Sequence, residues 1–148
     1  MRNRHLIECV AGWAGERGFR VEPYRLDIAP ELADLARRRL PSWAGRIYVG
    51  NAIGWAPPRP LDFVRTGLEY VPRRRRRDLV QHLIEHVVAP GGRLIVGTSK
   101  VAVPGLPSTP SWQELLTAWG FTLTGGSERR HEPDSRFVYC VVWIDRGP

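Results

Sequence analysis

The chain has 148 residues and a mass of 16.8 kDa, with 43% hydrophobic and 25% charged residues. These proportions are typical of a globular domain and exclude a collagen-like or low-complexity chain. No apolar run approaches the roughly 20 residues that cross a bilayer, and Cys9 and Cys140 form no C-x-x-C pair. We therefore predict a single domain over residues 1–148, with no membrane span, reduced structural thiols and a cytoplasmic location.

The formal net charge is +7 and the sequence pI is near 10.4, and every basic residue except Lys100 is arginine. The densest run comprises the five arginines 73–77. Since no aromatic or amide side chain is interleaved with them, the run does not resemble a platform for single-stranded nucleic acid. It predicts a solvated helix start, in which cations that oppose the helix dipole attract phosphate, membrane or acidic protein.

The first half of the chain alternates helical and extended patterns. Apolar residues at helical spacing from Leu6 to Ala14 predict a helix that ends at Gly15 or Gly18. Residues 19–28 predict a strand, and Pro30 then begins a second helix. Short strands are predicted at residues 46–49 and from residue 61.

The second half continues this alternation. A wide apolar face predicts a helix from Asp78, an apolar run predicts a covered strand at residues 93–97, and Ser111 with Glu114 forms a capping box. The last strands are predicted at residues 121–124 and 137–144, joined by a polar loop. This order predicts an α/β fold, with a mostly parallel sheet, helices on both faces and an antiparallel C-terminal strand.

His82, Glu85 and His86 match an H-x-x-E-H pattern that occurs in zinc sites. Both imidazoles fall on one helix face, opposite the apolar stripe, and no third ligand is evident downstream. We therefore predict a solvent-exposed histidine pair and no metal.

Chemically distinctive side chains follow three predicted strands. Asp27 ends the first, where doubly wound nucleotide-binding folds hold a ribose diol, although an aspartate there also caps helices or forms turns. Asn51 ends the second, with an amide that can read a purine edge beside the small Ala52. The third ends near Thr66, before a glycine that permits close approach of a ligand. Strand ends of such sheets are where ligands bind.

Four blocks carry a resemblance to a known family: YRLDIAPEL (24–32), RIYVGNA (46–52), LDFVRTGLEYVP (61–72) and APGGRLIV (89–96). Together they resemble the class I S-adenosylmethionine-dependent methyltransferases, which have a Rossmann-like fold. The resemblance implies that S-adenosylmethionine is the cofactor, with Asp27 on its ribose, Ile28 on the adenine, Asn51 at the exocyclic amine and Thr66 at the methionine end. A small-molecule acceptor is expected, and no catalytic residue is predicted, because methyl transfer needs chiefly alignment.

One part of the family pattern is missing from the sequence. The family begins with a strand and a D-x-G-x-G-x-G turn, whereas here Arg4 stands where a glycine is expected. We therefore expect an N-terminally truncated domain without its first central strand, with impaired cofactor binding and self-association through the open sheet. The alternative is a non-catalytic basic remnant that binds a protein partner or nucleic acid.

Overall fold

The computed structural model describes residues 2–101, 105 and 111–148, without the side chains of residues 2–5, 100 and 101. The chain divides into two compact units, Met1–Trp55 and Ala56–Pro148. Each unit is described by itself, and the single domain over residues 1–148 stays a prediction. Within the described part of the chain, every helix is too short or too polar to cross a bilayer.

The first unit contains two helices and a two-stranded parallel sheet. Its elements are α1 (Arg2–Glu16), β1 (Arg25–Asp27), α2 (Pro30–Arg39), a 3-10 helix (Pro41–Arg46) and β2 (Ile47–Val49). The two predicted helices are confirmed. The predicted strand 19–28 is wrong outside residues 25–27, because Pro23 has no amide to donate to a ladder and Phe19 is exposed.

A small apolar core holds α2 against β2. Ala33, Ala36, Leu40 and Ile47 are buried, and Trp43 packs against them. Arg37 fixes the contact, since its Nε and Nη2 both donate to the carbonyl oxygen of Ile47, at 3.2 and 2.6 Å. These bonds set the position of α2 relative to β2.

The second unit is built on one four-stranded sheet. Its strands are β3 (Leu61–Thr66), β4 (Val88–Val101), β5 (Gly125–Arg130) and β6 (Phe137–Asp145), in the order β3-β4-β6-β5. Its helices are α3 (Arg76–His86), which follows a 3-10 helix (Arg73–Arg75), and α4 (Trp112–Ala118). β3 runs parallel to β4, whereas β6 is antiparallel to both β4 and β5. The predicted α/β class, with parallel pairing and an antiparallel C-terminal strand, is confirmed.

The strand predicted at residues 121–124 is wrong, and β5 lies in the segment predicted as a loop. Phe121 closes the end of α4, because its amide donates to the carbonyl of Leu116 at 3.1 Å. Gly125 then begins β5 opposite Trp143, whose indole atoms lie 2.6 Å from where a Cβ would stand. Backbone pairing with β6 thus forms a strand that has no apolar pattern of its own.

Charged pairs fasten β6 and the loop before it. Arg93 of β4 faces Asp145 of β6 and donates to both its carboxylate oxygens, at 2.6 and 3.1 Å. These hydrogen bonds lower the pKa of Asp145. In the preceding loop, hydrogen bonds from Arg136 lower the pKa of Asp134 to about 2. Asp145 is exposed and Asp134 is partly exposed, so these contacts orient the loop and strand more than they stabilise the unit.

Four strands have only one neighbour among the residues described. β1 and β2 pair only with each other, β3 pairs with β4 alone, and β5 pairs with β6 alone. Phe63 of β3 is exposed, and an exposed apolar side chain on an unpaired edge favours association with other strands. Self-association through this edge stays a prediction.

Gly92 lies where the register between β3 and β4 shifts, and we expect Gly92→Ala to destabilise the protein by about 1–3 kcal/mol. A Cβ there would stand 2.8 Å from the carbonyl oxygens of both Ala89 and Asp62, which are backbone atoms. Urea unfolding measures the loss. Gly147→Ala is the matched control, because nothing lies within 4 Å of its Cβ position. Equal stabilities for the two variants would contradict the expectation.

Candidate functional site

The candidate site lies at the carboxyl ends of β1 and β2. Asp27 is paired in register with Val49, and the amide of Gly50 donates to the carbonyl of Asp27 at 3.0 Å. Asn51 is the next residue. The structure therefore brings Asp27 and Asn51 to the same edge of this small sheet, as the sequence predicted, while their roles toward a ligand stay predictions.

The carboxylate of Asp27 is held from two sides. Its Oδ1 accepts the amide hydrogen of Ala29 at 3.1 Å, and its Oδ2 accepts from Nη2 of Arg25 at 3.1 Å. The side chains of Arg25 and Asp27 are 20% and 16% exposed. Because a carboxylate offers about four lone-pair sites, two acceptor directions remain for hydroxyl groups. Asp27 thus forms the local turn that the sequence predicted as one of its roles, and it retains lone pairs that a ligand could use.

Arg25 was not among the residues singled out from the sequence. Residues two apart on a strand project from the same face, so the spacing of Arg25 and Asp27 is itself the signal that could have found the pair. The guanidinium fixes the direction of the carboxylate before any ligand arrives.

Apolar surface lies directly beside this carboxylate. Ile28 follows Asp27 and is 71% exposed. Val49, which pairs with Asp27 at the end of β2, is also exposed. Exposed branched side chains at strand ends are suited to cover a flat ring. The predicted position of Ile28 against adenine stays a prediction.

Asn51 is fixed by a local turn. Its Oδ1 accepts the amide hydrogen of Ile53 at 3.0 Å, and its main-chain oxygen accepts from Gly54 and Trp55 at 3.1 and 2.9 Å. One lone pair of Oδ1 is left for an amine, and the amide nitrogen supplies two donors. Ala52, next in the chain, is half-buried.

Thr66 belongs to the second unit, where it ends β3. Its hydroxyl donates to the carbonyl oxygen of Gly67 at 3.0 Å. A Cβ on Gly67 would stand 2.5 Å from both carboxylate oxygens of Glu69, so this side chain folds back over the glycine. The predicted role of Thr66 at the methionine end stays a prediction.

Two other features lie away from the strand ends. A small hollow lined by Tyr24, Trp43 and Ile47 opens at the amino ends of β1 and β2, opposite Asp27. On α3 the rings of His82 and His86 are 5.0 Å apart. Among the described residues, no three histidine, cysteine, aspartate or glutamate side chains group as metal ligands.

Neither a family model nor a curated protein sequence matches this chain. Solved structures do match its fold. The glycopeptide N-methyltransferase MtfA, complexed with S-adenosyl-L-homocysteine, superposes with a TM-score of 0.66 at 15% identity, over 90% of this chain and 74% of MtfA. This chain has the class I methyltransferase fold.

Two further neighbours delimit what this fold implies. The Burkholderia thailandensis 1,6-didemethyltoxoflavin-N1-methyltransferase, with S-adenosylhomocysteine bound, has a TM-score of 0.59 at 20% identity, over 93% of this chain and 65% of that one. The [4+2]-cyclase SpnF has a TM-score of 0.57 at 13% identity, over 82% and 64%. The chain thus spans just under two thirds of both proteins. Because the chain is similar in fold both to methyltransferases and to a cyclase, the fold alone does not specify the reaction.

Proposed function

We propose that this chain binds S-adenosylmethionine at the carboxyl ends of β1 and β2 and serves methyl transfer to a small-molecule acceptor. The observation that carries the proposal is the placement of Asp27 and Asn51 at one edge of the sheet. Two neighbours with the same fold are crystallised with S-adenosylhomocysteine. A carboxylate and an amide at adjacent strand ends support the same ligand here.

The side chains present fit an adenosine group. Asp27 has two acceptor directions left, which match the two hydroxyls of a ribose, and Arg25 keeps its carboxylate oriented. Ile28 offers an exposed apolar surface for the base. Asn51 offers both donors and an acceptor to a purine edge.

The bound cofactor would supply an electrophilic methyl carbon for transfer to a nucleophilic oxygen, nitrogen or carbon of the acceptor, with S-adenosylhomocysteine as the leaving group. The contribution of this chain is alignment and exclusion of water. Asp27 and Asn51 would orient the nucleoside half of the cofactor. No side chain is assigned as a base.

Isothermal titration calorimetry with S-adenosylhomocysteine tests the proposed function. We expect saturable binding of one ligand per chain. Methylthioadenosine retains the nucleoside half and is expected to bind at the same site, whereas homocysteine alone is expected not to bind. Absence of heat with S-adenosylhomocysteine at millimolar concentration would reject the proposal and favour a non-catalytic basic protein.

A further inference from the structure

Two histidines of the second unit lie one turn apart on α3. Because His82 and His86 are four positions apart, their side chains project from the same face of the helix. The centres of their rings are 5.0 Å apart. His86 is exposed and His82 is half-buried, so the pair is open to solvent.

The separation of the two rings matches what a single zinc ion requires. A zinc–nitrogen bond of about 2.0–2.1 Å, with about 1.1 Å from nitrogen to ring centre, places each ring centre about 3.2 Å from the ion. At the tetrahedral angle, two such rings have centres about 5.2 Å apart. Since the observed separation is 5.0 Å, chelation requires rotation of the rings and no movement of the helix backbone.

Negative charge lies beside this pair. Oε2 of Glu85 is 3.8 Å from Nε2 of His86, and Gln81 holds the same carboxylate by a hydrogen bond to its Oε1. His86 also ends α3, where the helix dipole favours a cation. Arg146 already binds there, since its Nη1 donates to the carbonyl oxygens of Glu85 and Val88 at 3.2 and 2.6 Å. This end of α3 is therefore a place where positive charge is stabilised.

The chemistry of the two rings limits which ion they bind. Imidazole nitrogen favours zinc, copper and nickel ions, whereas magnesium and calcium prefer oxygen ligands. Each imidazole has two ring nitrogens, so one can bind a metal whatever the other contacts. No third histidine, cysteine, aspartate or glutamate among the described residues groups with the pair, so water would complete the coordination.

We propose that His82 and His86 chelate one zinc ion, each through one nitrogen of a neutral imidazole. The sequence predicted no metal here because no third ligand follows the pattern, but two imidazoles one helical turn apart already chelate. Glu85 adds the charge of a carboxylate beside the ion. Every residue of this site belongs to the second unit, so the inference does not depend on the proposed cofactor site.

Calorimetric titration of the intact, reduced chain with zinc chloride tests the site. We expect saturable binding of one ion per chain. Affinity should fall at least about tenfold in His82→Ala and in His86→Ala, since loss of even a partner of a metal ligand costs about 10- to 100-fold. His131→Ala is the matched control, because this histidine contacts the rings of Phe137 and Tyr139 in another part of the unit. We expect its affinity for zinc to equal that of the unsubstituted chain.

Urea unfolding gives a second measurement. An ion that bridges two turns of a helix binds the folded chain in preference to the unfolded one, so zinc should raise the urea midpoint. The rise should be absent from both α3 variants. The proposal is overturned if zinc leaves the midpoint unchanged, if either α3 variant binds as tightly as the unsubstituted chain, or if the heats never saturate. Binding that is lost only in Cys140→Ser would also overturn it, because the ion would then lie at the thiol that donates to Glu128.

Discussion

Asp27→Asn is expected to weaken binding of S-adenosylhomocysteine by about 10- to 100-fold, the range given by 1.5–3 kcal/mol for hydrogen bonds to a charged group. An amide retains the oxygen that accepts from Ala29, so the local turn is preserved. It replaces the second oxygen by a donor, which faces the guanidinium of Arg25 and cannot accept from a ribose hydroxyl. Calorimetry measures the change in dissociation constant.

The control is Asp34→Asn, the same chemical change on the exposed surface of α2. Asp34 pairs with Arg37 at 2.8 Å, three residues along the helix, and an exposed pair of this kind contributes little to stability. We expect its affinity to stay within about twofold of the unsubstituted chain. If both variants bind alike, Asp27 does not contact the ligand. Urea unfolding of both variants separates lost affinity from lost structure.

The main features of the candidate site could be predicted because they depend on short-range order. A strand that ends in Asp27 and a later strand that ends before Asn51 become neighbours when consecutive parallel strands pair, which they commonly do. The carboxyl ends then share an edge. The helices α2 and α3 could also be predicted from local sequence, because each has a repeating apolar face whose residues are buried.

The features that the sequence did not reveal depend on pairing at a distance. β5 is polar throughout and forms because the amides and carbonyls of β6 need partners, which hydrophobic periodicity does not record. The hydrogen bond from Nε of Arg76 to the carbonyl oxygen of Leu68, at 2.9 Å, joins residues on either side of a turn whose geometry the sequence does not reveal. From sequence, Arg76 is one of five equivalent arginines, whereas the structure distinguishes it from Arg73 and Arg74.

Leu79→Ala is expected to lower the free energy of unfolding by about 2–5 kcal/mol, the range for removing a buried leucine side chain. Leu79 is 0% exposed in α3, which packs against β4. Truncation removes apolar burial and leaves a cavity that close-packed neighbours fill only in part. Urea unfolding followed by circular dichroism measures the loss.

Leu32→Ala is the matched control, since Leu32 is also helical but 51% exposed, and we expect a loss below about 1 kcal/mol. Hydrogen exchange shows how far the loss spreads along α3. This helix begins at Arg76, whose Nε donates to the carbonyl oxygen of Leu68 and whose guanidinium lies 5.3 Å from the centre of the Trp112 ring. A loosened α3 should weaken these contacts, so exchange of the first α3 amides should accelerate in Leu79→Ala only. Unchanged exchange there, despite lower stability, would mean that the contacts of Arg76 hold the start of α3 without help from the core.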